Sequence, residues 1–79
     1  MIEITKPKVT AFQYRDMREW CKENFGSEAW CPADMSQGDW YGYSGCDNLT
    51  PVKMMNWCGD AHFIFLQEHY CTLFCLRWS

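Results

Sequence analysis

The run from Ala61 to Trp78 (AHFIFLQEHYCTLFCLRW) is the densest stretch of apolar and aromatic residues in the chain, and its hydrophobic period changes halfway. From His62 to Gln67 the side chains alternate, Phe63 and Phe65 to one side and His62, Ile64 and Leu66 to the other, which specifies a strand covered on at least one face. From Tyr70 onward Cys71, Phe74, Cys75 and Trp78 recur at i, i+3, i+4 and i+7, a helical stripe that Tyr70 widens. A second strand closing a hairpin competes with this reading, because Tyr70, Thr72, Phe74, Leu76 and Trp78 also alternate. Gln67, Glu68 and His69 include no Gly, Asn or Pro for a tight hairpin turn, and Glu68 suits the approach to a helix N-terminus, so strand-then-helix is the expectation. The rest of the chain is expected to pack around this pair.

Working forward from the N-terminus, Ile2 and Ile4 alternate with Glu3 and Thr5 as a short half-buried strand. Lys6-Pro7-Lys8 is expected to end it, since proline cannot donate to a ladder. Thr10 followed by Gln13 forms a capping box, with Val9 and Tyr14 placed as its hydrophobic staple. Tyr14, Met17, Cys21 and Phe25 then share one stripe, with Ala11 and Trp20 at its edges, and Gly26 sits just past the end. These signals predict a helix from Ala11 to Phe25, with Phe12 pointing away from the stripe to seal a sheet edge or meet solvent. Trp30-Cys31-Pro32 breaks any regular pattern. The aromatics of Asp39 to Ser44 predict a second strand, with Gly42 marking a bulge or a close contact. Thr50 and Pro51 read as N-cap and first residue of a short helix that Gly59 stops, with Val52, Met54, Met55 and Trp57 as its apolar residues.

Strand, helix, strand, strand, helix in 79 residues predicts one domain, residues 1–79, of the α+β class. The expected form is a small antiparallel sheet with helices on one face, βαββα, like a ferredoxin-type fold lacking its last strand. The edge where that strand is missing would be open to a partner or to a second copy.

The C-terminal residues also carry a resemblance. An aromatic strand (Phe63, Phe65), an acidic or amide turn, and a short segment ending in Phe74, Leu76, Arg77 and Trp78 resemble the C-terminus of many small uncharacterised proteins of tailed bacteriophages. Trp20, Cys21, Phe25 and Gly26 form a looser second match. The chain departs from those proteins at His69 and Tyr70, where they usually carry an acidic residue and alanine. The resemblance implies a virus of bacteria as the source and a βα ending, and it carries no catalytic or binding residues with it.

Composition narrows the function. A formal charge of −3, with seven Lys and Arg scattered along the chain, argues against a general nucleic-acid binder, which depends on clustered cations. The N-terminus lacks a long apolar region with a small-residue cleavage site, and no stretch approaches the roughly 20 apolar residues of a membrane span. The expected location is therefore the host cytoplasm, with no membrane partner. There the six cysteines read as reduced, buried thiols, three of them (Cys21, Cys71, Cys75) on the apolar faces of predicted helices. The best zinc set, Cys58 and His62 with Cys46 and Cys31, lacks ligand spacing, so neither metal nor cofactor is expected. Cys58 and His62 frame a nucleophile and base with no third residue to orient the histidine, and no enzyme is expected.

Aromatics make up 18% of the chain, more than a thin core can take, and each of the five tryptophans can bury on the order of 200 Å². This excess points to an exposed aromatic patch, with rings that merely close a thin core as the competing reading, and the expected partner-binding residues of the patch are Trp30, Trp40, Tyr41 and Tyr43. The expected function is that of a small phage-type accessory protein that binds a host or viral protein. A minor virion or self-assembling component using the same patch is the alternative, with possible homo-oligomers. A zinc- or thiol-dependent module is the third reading.

Overall fold

The computed structural model describes residues 2–31, 33 and 35–78. Strand β1 (Ile2–Thr10) runs into helix α1 (Ala11–Phe25), and β2 (Trp40–Ser44) comes after a loop. A 3-10 turn (Gly45–Asn48) and the single-turn helix α2 (Pro51–Met54) then lead to β3 (Cys58–Phe65) and helix α3 (Glu68–Arg77). The chain is α+β, with a three-stranded antiparallel sheet in the order β1-β3-β2. The alternating run that begins at His62 therefore falls on the central strand, which starts earlier than its alternation indicated, at Cys58, and ends at Phe65, two residues before the expected Gln67. The strand leads into a helix and not into a hairpin.

Pairing across the sheet sorts the side chains. Phe65 stands between Ile2 and Trp40, Phe63 between Ile4 and Gly42, and Ala61 between Lys6 and Ser44, so all of these share the inner face. Both long helices pack on that face. Tyr14 and Phe25 of α1 approach Phe63 and Phe65, with ring centroids 5.9 and 5.8 Å apart, and Phe74 of α3 lies 4.7 and 5.2 Å from the same two rings. Gly42 is a close contact and not a bulge: a Cβ there would meet the Phe63 ring at 2.8 Å. Val9, Met17, Cys21, Trp40 and Cys46 complete the buried cluster. On the other side a smaller cluster of Ala29, Met35 and Ile64 packs with Tyr41 and Tyr43.

Helix α1 starts and stops where its capping chemistry places it. Thr10 Oγ1 accepts from the Gln13 backbone N–H at 3.1 Å, and the Gln13 side chain accepts from Thr10 N–H at 2.9 Å. At the other end Gly26, at φ 87°, returns its N–H to the Lys22 carbonyl. Helix α3 has no side-chain cap at Gln67, but Glu68 lies in its first turn and Lys6 Nζ donates to the Trp78 carbonyl at 2.9 Å.

Three expectations fail. Lys6-Pro7-Lys8 does not end β1: the pairing skips between Lys6 and Val9, with Lys8 at φ 56°, and resumes to Thr10. A bulge puts two residues opposite one and absorbs the proline that cannot join the ladder. The short helix starts as expected, with Thr50 as N-cap and Pro51 as its first residue, but it ends at Met54 and not at Gly59, which lies inside β3. Its expected apolar face is only half used, with Met54 and Trp57 packed against the core while Val52 and Met55 are exposed. Pro32, read as a break, lies outside the described residues.

This core is open to two measurements. Phe74→Ala empties the space over Phe63 and Phe65 and should cost about 3–5 kcal/mol, read as a lowered urea midpoint. The second measurement concerns pH. Burial pushes the Cys21 thiol up from 9.0 to about 12, with nearby Glu28 adding to the rise and Arg18 opposing it. The unfolded chain gives up this proton first, so the contribution is intact below about pH 9 and is lost between there and about pH 12, at up to about 1.4 kcal/mol per unit. Stability measured across that alkaline window should fall more steeply in the native sequence than in Cys21→Ala.

Candidate functional site

Because α1 and α3 both occupy the inner face, the residues that pack over the outer face, among the described residues, are Ala29 and Met35 of the loop after α1. The side chains of that face form two rows across the strands: Glu3, Ile64 and Tyr41 in one, Thr5, His62 and Tyr43 in the next. Ala29 and Met35 close over Ile64 in the first row. The second row is held by polar contacts. Tyr43 stacks on the His62 ring, centroids 4.7 Å apart and 20° from parallel, and Tyr41 lies 5.9 Å from Tyr43. Tyr43 Oη donates to Glu3 Oε1 at 2.9 Å, and this bond to a carboxylate, with slight burial, raises the phenol above the ordinary tyrosine range. His62 Nδ1 lies 3.0 Å from Thr5 Oγ1 and 3.9 Å from Glu3 Oε1.

Both oxygens approach the same ring nitrogen. A nucleophile–base–orienter relay needs them on opposite nitrogens, so this cluster is not arranged as one. It presents instead a row of rings with polar tips on the outer face of the sheet.

The loop that delivers Ala29 is fastened to the free edge of β2. The Ala29 N–H donates to the Trp40 carbonyl at 2.8 Å, the Gly42 N–H donates to Glu28 Oε2 at 2.9 Å, and Trp40 Nε1 donates to the Gly26 carbonyl at 2.9 Å. Glu28 is itself ion-paired with Arg18 of α1. Burial lowers the Arg18 guanidinium's affinity for its proton, and Glu28, together with Tyr14 and Asp47, more than restores it.

The four aromatic residues expected to bind a partner are divided by this geometry. Tyr41 and Tyr43 lie together, half-buried, on the outer face, and Trp30, next in the chain after the packed Ala29, is 76% exposed. Trp40 is 0% exposed on the inner face, so it is a core residue and cannot offer its ring to a partner. Its neighbours in β2 point the other way because strand side chains alternate. Glu3, Thr5 and His62 were missed as members of the site, since only the strand register brings them beside Tyr43.

All six cysteines are free thiols. Among the described residues no group of three or more His, Cys, Asp or Glu is placed to hold a metal ion. Cys58 and His62, four residues apart on one strand, are separated by about 13 Å of extended chain and do not form a pair. Among the described residues no helix is long and apolar enough to cross a membrane. No protein family, no curated protein and no solved structure matches the chain.

The two faces of β2 should respond oppositely to truncation. Trp40→Ala should cost about 3–5 kcal/mol, and Tyr41→Ala, from a half-exposed position, clearly less, at about 1 kcal/mol. Denaturant unfolding of the two variants checks the order.

Proposed function

We propose that the chain is a small accessory protein of the tailed-bacteriophage type that acts in the host cytoplasm by binding another protein, host or viral. The outer face of its sheet is the contact surface, with Trp30, Tyr41 and Tyr43 as anchors. The observation that carries this reading is the stacked Tyr43–His62 row beside Tyr41, held in place by Glu3 and Thr5 and left uncovered by both long helices. Rings pre-ordered by such contacts lose little freedom on binding, which is why tyrosine and tryptophan dominate interface energetics.

We also take the fold as a ferredoxin-type arrangement without its last strand. Both outer strands run antiparallel to β3, so β1 and β2 are parallel to each other and joined through α1 with a strand between them, which supports a split βαβ unit. In that arrangement the fourth strand would have lain against β1. That edge is blunted by Lys6, Pro7, Lys8 and the register break, which favours the face over the edge as the contact surface.

The test is affinity for a partner captured from bacterial lysate and then purified. Replacing Trp30, Tyr41 and Tyr43 together with alanine should leave a folded chain and weaken binding by at least about 2 kcal/mol, roughly thirty-fold. Unchanged affinity in the folded variant overturns the proposal. A stable homo-oligomer that buries these residues would transfer the surface to the self-assembling alternative.

A further inference from the structure

Helix α3 carries two of the six cysteines, and each of the others lies on a different element: Cys21 on α1, Cys31 in the loop that follows it, Cys46 in the 3-10 turn and Cys58 on β3. Cys71 and Cys75 stand four residues apart, one above the other on the same side of the helix. Both are free thiols and both are half-buried, so solvent reaches them while the helix fixes their direction.

We infer that Cys71 and Cys75 form a two-thiolate site for a soft monovalent metal ion, of which copper(I) is the physiological example. Spacing argues against the simplest alternative, a disulfide. Side chains at i and i+4 of a helix hold their Cβ atoms about 5–6 Å apart, whereas a disulfide needs about 3.5–4.5 Å, so closing one would distort the helix. An ion between the sulfurs adds two metal–sulfur bonds of about 2.3 Å to the bridge and spans the larger gap with the backbone in place.

Ligand number then selects the ion. Among the described residues no third His, Cys, Asp or Glu joins these thiols in a group able to hold a metal. Zinc and iron–sulfur clusters take four ligands from the protein, and calcium and magnesium take oxygen. Of the soft ions that thiolates select, copper(I) is the one satisfied by two of them in a line.

The surroundings favour a cation and keep the empty site protonated. Burial raises the Cys71 thiol above its ordinary range, and the neighbouring Cys75 thiol and the Glu68 carboxylate add to the rise. The same carboxylate attracts a positive ion placed between the sulfurs. On binding, two S–H bonds are exchanged for two metal–sulfur bonds, two protons leave and no electron is transferred, so affinity rises with pH. The ion would also brace α3. Gln67 gives this helix no side-chain cap, and a bridge from Cys71 to Cys75 fastens its first turn to its second. An ion bound by the folded chain alone raises its stability. The site lies on a helix of the inner face, and it does not depend on the outer face binding a partner.

The experiment titrates the full, reduced chain with copper(I) without oxygen, and reads native mass and the thermal midpoint. One ion per chain should be retained against equimolar bicinchoninate, a copper(I) chelator, with a raised midpoint. Silver(I) should replace it and zinc(II) should not. Cys71→Ser and Cys75→Ser should each lose the retained ion, while Cys31→Ser/Cys58→Ser keeps it. A second measurement needs no variant: in the loaded native chain, mapping of iodoacetamide-labelled peptides should find Cys71 and Cys75 protected and the exposed Cys58 labelled. The inference is overturned if the chelator removes all the copper, if zinc is bound in preference, or if Cys58 and not the α3 pair is protected. It is equally overturned if diamide closes a Cys71–Cys75 disulfide while circular dichroism shows the helix unchanged.

Discussion

The contact of Phe74 with Phe63 and Phe65 is the interaction on which the molecule depends. Phe63 and Phe65 sit on the central strand, so they are the only inner-face rings flanked by both outer strands, and Phe74 is the only fully buried side chain of α3. Trp20 then packs on Phe74 at 6.2 Å and on Phe25 at 5.2 Å, tying α1 to α3 over the same two rings. In a chain of 79 residues the apolar area available is small, and concentrating it in a few aromatic side chains is how a thin core offsets the entropy of ordering the backbone.

A second constraint is electrostatic. Glu28 connects the side of α1, through Arg18, to the Gly42 N–H on the outer edge of β2. One carboxylate thereby satisfies an edge donor and a half-buried guanidinium, both of which would be costly to leave unpaired. The consequence reaches the candidate surface. With Glu28 and Ala29 fixed to β2, the loop lies over Ile64, Tyr41 is supported from one side, and Trp30 leaves the packed cluster toward solvent.

How much of this could be read from the residues depended on whether the determinant was local. The capping box of Thr10 and Gln13, the stripe ending at Phe25 and the change of period between Gln67 and Tyr70 are local; α1 appears where its signals lie and α3 follows the change of period, while β3 begins four residues before its alternation. Lys6-Pro7-Lys8 misled because proline's effect on a ladder is local while the bulge that accommodates it is set by the register with β3. Trp40 was misassigned for a related reason. Alternation shows that Trp40 faces away from Tyr41, but which of the two faces receives the helices is decided by Phe63 and Phe65, far along the chain. The polar partners of Tyr43 were illegible for the same cause, since Glu3 and His62 reach it only through β3.

The placement of both helices on one side explains why the surplus aromatics become surface and not core. Once α1 and α3 cover Phe63 and Phe65, the inner face has no room for the rings of Tyr41 and Tyr43, which alternation sends to the side that only the loop partly covers. A tyrosine tolerates that position better than phenylalanine, because its hydroxyl finds Glu3 while its ring stacks on His62.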